Sequence, residues 1–286
     1  MGVKIIVDSA SDITAAYAEE HGIGFAPLKT TLGGTEYRDG IEIVPDVFFE
    51  KLEANKELAR TSQVNVEEFR VLFEKAVNDG DDVVVVTISS GLSGTCQSAV
   101  AAAAEFPGKV FVVDSLSATA GEQVLICRAL QLKEEGKTAK EIFDELDALR
   151  KRVRLFVRLE TLEYLKRGGR ISKTSAFVGG VLGIKPILTL NGEGKLETVG
   201  KARGIKQSHQ MMNESILGCG GIDFSYPVVM TYAGDLSDGA VDKYMEDSTA
   251  VLGDSAGDVK VGQLGCVIGT HAGPGAIVIS FVPKEN

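Results

Sequence analysis

The sequence has no tryptophan, and its 286 residues include only six tyrosines, four cysteines and three histidines. Cys96, Cys127, Cys219 and Cys266 are far apart, form no Cys-x-x-Cys pair and leave no Cys/His zinc spacing. Four reduced thiols of a cytosolic protein is the simplest reading. No stretch approaches the ~18 apolar residues of a membrane span. The first apolar run, Val3–Val7, ends at Asp8, unlike a secretory signal, and Ile6 stands where a myristoylation signal needs Ser or Thr. Basic charge is also short: 30 bases face 40 acids, a net −10, which disfavours any global attraction to nucleic acid or an anionic membrane. We therefore expect a cytoplasmic protein without stable membrane insertion. The 44% hydrophobic and 24% charged composition excludes disorder and collagen.

Glycine is what the chain has in excess, at 33 residues, about 12% against a usual ~7%. Such a surplus marks places where backbone turns tightly or approaches something closely. The first half alternates short apolar runs with amphipathic segments. Val3–Val7, Gly24–Thr30, Asp82–Ile88 and Lys109–Val113 read as strands. Val83 to Val86 shows no polar alternation and predicts a strand buried on both faces, as in a parallel sheet. Thr14–His21, Pro45–Leu52, Asn65–Asn78, Thr95–Phe106, Ala120–Glu135 and Thr138–Lys151 read as helices. Alternating β and α predicts a three-layer α/β/α unit with a mainly parallel sheet.

The second half has another rhythm. Leu155–Val157, Val228–Tyr232, Val259–Gly262 and Ala276–Val282 read as strands, and Pro186–Leu190 with Lys195–Gly200 flank the hairpin signal Asn191-Gly192-Glu193-Gly194. Helices are expected at Glu160–Lys166, Lys173–Leu182, Ile205–Leu217 and Gly239–Leu252. This predicts a two-layer α/β unit with a mixed sheet, and two domains, 1–154 and 155–286. Charge divides similarly: residues 1–150 carry 14 bases and 26 acids, residues 151–286 carry 16 and 14. Arg150 to Lys206 alone holds 14 bases and four acids. A solvated face and a docking surface for an acidic or phosphate-bearing partner both fit this strip. Aromatics are sparse among its bases, Phe156, Tyr164 and Phe177 alone, which argues against nucleic acid.

The segment richest in chemistry is Thr87-Ile88-Ser89-Ser90-Gly91-Leu92-Ser93-Gly94-Thr95. It follows a buried strand and opens a helix, the end of an open α/β sheet where ligands bind. Free N–H groups at the helix start, with five hydroxyls in nine residues, suit an anion better than a single helix cap requires. Nucleotide motifs fail: no Gly-x-Gly-x-x-Gly occurs, and Gly136-Lys137-Thr138 has Gln131 where a Walker loop needs glycine. Gly91-Leu92-Ser93-Gly94-Thr95 misses the Gly-x-Ser-x-Gly elbow at its last residue. The order Ser93…Asp235…His271 still permits a serine hydrolase, although Asp235 in Gly234-Asp235-Leu236-Ser237 reads better as a loop cap. Thr61-Ser62-Gln63 precedes a helix and taken alone is a capping signal. Asp8-Ser9-Ala10-Ser11-Asp12 offers an acidic pair to a metal or, more simply, a cap to the next helix. Gly269 to Gly275 reads as a tight Gly/Pro turn carrying His271.

Taken in order, Asp8-Ser9…Asp12, Thr61-Ser62-Gln63, Ser89 to Thr95, Leu165-Lys166-Arg167-Gly168-Gly169-Arg170-Ile171, Lys185-Pro186-Ile187-Leu188 and His271-Ala272-Gly273-Pro274-Gly275 resemble the DegV family of bacterial fatty-acid-binding proteins. The resemblance runs from residue 4 to about 282. It implies the two domains described above, with a long-chain, palmitate-like fatty acid held between them, and a carrier with no cofactor rather than an enzyme. It further implies that Thr61 and Ser93 hold the acyl carboxylate, with Ser62, Gly94 and His271 beside them. In such relatives the fatty acid is presented to a separate ATP-dependent kinase, and Lys166, Arg167 and Arg170 match the docking region. The implied role lies in lipid transport or fatty acid metabolism. The alternative from the residues is an acyl hydrolase using Ser93 and His271. The two part on Ser93→Ala, which should abolish hydrolase turnover but only weaken a carrier's binding.

Overall fold

The computed structural model describes residues 2–54, 59–171 and 183–285. Its first part runs β1 (Gly2–Asp8), α1 (Ala15–Glu20), β2 (Gly24–Ala26), β3 (Lys29–Leu32), β4 (Thr35–Arg38), α2 (Pro45–Ala54), β5 (Arg60–Ser62), α3 (Val66–Asn78), β6 (Asp81–Thr87), α4 (Thr95–Ala103), β7 (Val110–Asp114), α5 (Ala120–Glu134) and α6 (Ala139–Leu149). Strands β2-β1-β6-β7 form a wholly parallel sheet. Val83, Val84, Val85 and Val86 of β6 are fully buried, Val84 and Val86 toward one core and Val83 and Val85 toward another. Helices on both faces are what make a continuous valine run stable there.

The expected strand Gly24–Thr30 is two strands. Pro27 has no N–H to give a ladder, and the chain divides there. β2 joins the parallel sheet, whereas β3 becomes the centre of an antiparallel sheet, β4-β3-β5, that sequence patterning does not reveal. Its hairpin tip is Gly33-Gly34, both at positive φ, as a two-residue turn demands. Thr61 and Ser62 therefore lie on a strand, and the cap of α3 is Asn65, in a reciprocal capping box with Glu68.

The remaining elements are β8 (Arg154–Arg158), α7 (Glu163–Gly168), β9 (Ile184–Leu190), β10 (Leu196–Arg203), α8 (Ile205–Gly218), β11 (Val229–Tyr232), α9 (Ala240–Asp247), α10 (Thr249–Leu252), β12 (Lys260–Gln263), α11 (Cys266–Ala272) and β13 (Ile277–Phe281). The helix expected at Lys173–Leu182 lies outside the described residues, and α7 starts at Glu163, after the expected Glu160. The long helix expected at Gly239–Leu252 breaks at buried Ser248, whose N–H reaches only the carbonyl of Met245. Strands β10-β9-β8-β13-β11-β12 make a mixed sheet, antiparallel except for β11 with β12. The period-two alternation of its strands gives it two apolar faces. Phe156, Ile279 and Phe281 pack with Met212 and Ile216 of α8 and Tyr244 of α9. Leu155, Val157, Leu188 and Val278 face the other way and share a core with Val124 and Leu125 of α5. The protein is thus α/β, with a parallel sheet and a separate mixed sheet packed on one continuous core.

The β9–β10 hairpin turns at Asn191–Gly194, as its sequence predicts, and its tip rests on the loop after β6. Ser89 Oγ donates to the Gly194 carbonyl at 2.9 Å. A Cβ on Gly91 would lie 2.7 Å from the Glu193 carbonyl oxygen and 2.9 Å from that of Gly194. Both obstacles are backbone, so Gly91→Ala is expected to lower stability by about 1–3 kcal/mol, read from urea unfolding. Gly192→Ala, which meets nothing within 4 Å, should change it by no more than about 0.5 kcal/mol. Equal midpoints for the two variants would contradict this docking.

Candidate functional site

Between the two sheets lies a cavity of about 390 Å³. Most of its wall is apolar: Leu155 and Val157 of β8, Leu190 and Leu196 of the hairpin, Val278 of β13, and Leu28, Ile88, Val267 and Ile268. Polar atoms are contributed by Thr61, Ser62, Gln63, Ser93, Gly94, Thr119, Arg170 and His271. All five residues named from sequence as ligand-binding, Thr61, Ser62, Ser93, Gly94 and His271, line this one space.

Each is placed by a different element. Thr61 comes from β5, where pairing with Thr30 of β3 holds it. Ser93 and Gly94 come from the turn between β6 and α4, and α4 starts at Gly94 with no side-chain cap. Ser93 Oγ pairs with Thr95 Oγ1 at 2.9 Å and accepts the Thr95 N–H. Gln63 Nε2 donates to Ser98 Oγ at 2.9 Å and to the Gly94 carbonyl, tying β5 to the start of α4. A Cβ on Gly94 would lie 2.1 Å from Gln63 Oε1, so any larger residue there would displace the Gln63 side chain. The turn itself hangs on Asp8, which accepts N–H bonds from Ala10 at 2.9 Å and Ile88 at 2.8 Å. Burial pushes the Asp8 carboxyl up to about 7.

His271 is not in a turn. It occupies the last turn of α11, which ends where Gly273 takes a positive φ. Its Nε2 lies 2.9 Å from Thr61 Oγ1, a contact between residues 210 positions apart. Its Nδ1 is buried without a partner among the described residues, and a Cβ on Gly168 would lie 2.1 Å from it. Burial, aided by Arg170, pulls the imidazole down to about 4, so it is neutral near pH 7. In the tautomer with its proton on Nε2, the imidazole donates to Thr61 Oγ1 and the Thr61 hydroxyl hydrogen is free to point at an anion in the cavity.

Of the residues expected at a docking region, Arg170 is half-buried in the cavity wall, donating from Nε to the Leu92 carbonyl at 3.2 Å and from Nη1 to the Gly168 carbonyl at 2.7 Å. Lys166 and Arg167 are exposed on α7, Arg167 paired with Glu163. Thr61, Arg170 and His271 also border a second, outer cleft of about 820 Å³ lined by Arg60, Arg167, Gly33 and Gly34. The polar end of the apolar cavity is therefore the inner end of a basic cleft.

The hydrolase constellation does not assemble. Ser93 pairs with Thr95, His271 with Thr61, and exposed Asp235 caps a short turn through the Ser237 N–H and hydroxyl. Asp8 caps the next helical turn, the 3-10 segment Ser9–Ser11, by accepting the Ala10 N–H, whereas the cap of α1 is Thr14. Among the described residues no cluster of three or more His, Cys, Asp or Glu is arranged to hold a metal, and no helix is long and apolar enough to cross a membrane. Sequence reading missed the roles of Gln63 and Thr119 and the leucines of the cavity wall. For Gln63 the signal was its place directly after two hydroxyl residues; the leucines gave only ordinary strand alternation.

Comparison with known proteins agrees with this architecture. A model of the family described as "Uncharacterised protein, DegV family" matches residues 2–284. A DegV domain-containing protein of Caldanaerobacter subterraneus subsp. tengcongensis is 33% identical over 285 residues, covering 99% of each chain. A solved structure described as fatty acid binding of a DegV family protein from Thermus thermophilus superposes with a TM-score of 0.87 at 35% identity, over 99% of this chain and 100% of that one. A DegV family protein from Eubacterium eligens loaded with heptadecanoic acid gives 0.84 at 29% identity, again over 99% and 100%. Matched along nearly its whole length in sequence and in fold, the chain belongs to the DegV family.

Proposed function

We propose that this protein is a carrier that binds one long-chain fatty acid between two domains, 1–154 and 155–286, and leaves its carboxylate accessible for chemistry performed by a partner. The carrying observation is the division of one 390 Å³ cavity into an apolar body and a hydroxyl-lined end at the start of α4. The fatty acids bound by structural neighbours support the same ligand class.

The energetics suit the geometry. Burying a sixteen-carbon tail supplies about 0.8 kcal/mol per methylene, about 12 kcal/mol in all. Ordering costs of about 4 kcal/mol or more leave micromolar binding from the tail alone. Hydrogen bonds from Thr61, Ser93 and the Gly94 N–H to the charged carboxylate then add about 1.5 kcal/mol each. Neutral donors hold the carboxylate without an ion pair and leave its oxygens nucleophilic. The adjoining cleft with Arg60, Arg167 and Arg170 supports the partner being an ATP-dependent kinase that forms an acyl phosphate there. We accordingly infer a cytoplasmic protein with a role in lipid transport or fatty acid metabolism.

Organic extraction of purified protein followed by mass spectrometry should yield long-chain fatty acid near one equivalent. No lipid, and no binding on addition, would refute the reading. Ser93→Ala and Thr61→Val should each weaken fatty-acid binding about tenfold in a fluorescence displacement titration, as loss of one hydrogen bond to a charged group implies. Unchanged affinity in both would remove the head-group assignment. Leu155 and Leu190 also line a neighbouring cavity of about 240 Å³ and so separate it from the first. Leu190→Ala should therefore shift the preferred chain to longer acids in a chain-length series; an unshifted optimum would place the tail elsewhere.

A further inference from the structure

The acidic residues of the first sequence motif have no part in the head-group contacts above, yet they lead to them. Helix α11 begins at Gly265, which has no side chain with which to cap it. Its first three N–H groups are instead taken by two remote carboxylates. Gly265 N–H donates to Asp12 Oδ1 at 3.0 Å, Cys266 N–H to Asp39 Oδ1 at 3.2 Å and Val267 N–H to Asp39 Oδ2 at 3.4 Å. A serine or asparagine next to the helix would cap it at less cost than bringing two carboxyls out of water. Burial raises both carboxyls above the ordinary range, and the bonds from the helix N-terminus oppose that rise.

Asp12 is further braced. Thr119 Oγ1 donates to Asp12 Oδ2 and lies 2.7 Å from Thr231 Oγ1 of β11. Asp12 and Thr119 both have positive φ, 59° and 50°, which a β-branched threonine adopts only under constraint. Strain of this kind persists where surrounding contacts over-determine the backbone, and here it gathers at one anchor. At the other end of α11, about 7.5 Å along the axis at 1.5 Å per residue, is His271 against Thr61. Little play exists between the two ends: a Cβ on Gly269 would lie 2.7 Å from the Phe49 ring of α2.

We propose that Asp12 and Asp39 are positioning residues for carboxylate recognition, fixing the axial position of α11 so that His271 orients the Thr61 hydroxyl. This rests on the reading of the cavity as a fatty-acid site. Neither acid touches the ligand; each acts through the helix. Their effect must therefore fall on the head group and spare the tail.

The test compares the full-length protein with Asp39→Asn, Asp12→Asn, His271→Ala and the double variant Asp39→Asn/His271→Ala. The probes are palmitic acid and its methyl ester, which shares the tail but carries no charge. Asp39→Asn presents an amide N–H to the Val267 N–H in place of an acceptor. It should weaken palmitate binding about tenfold while changing the ester by less than about twofold. The double variant should bind palmitate no more weakly than His271→Ala alone, because both changes break one chain of contacts. Equal losses for acid and ester, or additive losses in the double variant, would overturn the positioning role and reduce the acids to structural caps. Should Asp39→Asn not fold, Asp12→Asn makes the same comparison, because its amide cannot accept from both Gly265 and Thr119. A wild-type protein that binds neither probe would overturn the fatty-acid reading itself, a result distinct from loss of selectivity.

Discussion

One hydrogen bond, between Thr61 Oγ1 and His271 Nε2, joins the two halves of this protein at the place where its chemistry is concentrated. Thr61 belongs to a three-residue strand with little stability of its own, and His271 to a seven-residue helix. Neither short element would hold a side chain in place unaided. β5 is held by β3 and by the Gln63 contacts to α4; α11 is held by the buried acids and the phenylalanines of α2. The site therefore depends on non-local contacts from end to end, and its rigidity is a property of the packed pair of sheets.

The second constraint is electrostatic. A carboxylate leaving water needs compensation, and an arginine placed directly on it would supply the most. Here the nearest guanidinium, that of Arg170, is occupied by the Leu92 and Gly168 carbonyls, and its charge helps to keep His271 neutral. In the proposed carrier, a neutral imidazole and hydroxyls would leave binding strength to the tail and the head group chemically available. The same logic explains why the basic residues lie just outside, along the adjoining cleft.

The parts of the fold readable from sequence are those whose signals are local. Four consecutive valines announce a strand buried on both faces, Asn65 with Glu68 announces a helix start, and Asn191 to Gly194 announces a hairpin. The three-stranded sheet was illegible because β4 and β5 carry no apolar alternation and exist only by pairing with β3. α11 was hidden among glycines and Pro274, because the groups that cap it lie 227 and 253 positions away in Asp39 and Asp12. The hydroxyl residues of the site were legible as residue types in order, and the resemblance to a family collected them. Their convergence on one cavity, and the choice of Leu155, Leu190 and Leu196 as its wall, required the packing of two sheets that no local pattern specifies.

The central claim is that one cavity takes both ends of a fatty acid, with neutral groups on the carboxylate. A crystal structure of the protein with palmitate tests this most directly. The account predicts carboxylate oxygens within about 2.6–3.2 Å of Thr61 Oγ1 and Ser93 Oγ. It also predicts an acyl chain running between Leu155, Val157 and Leu196. A carboxylate paired with Arg60 or Arg167, or a chain lying in the outer cleft, would contradict it.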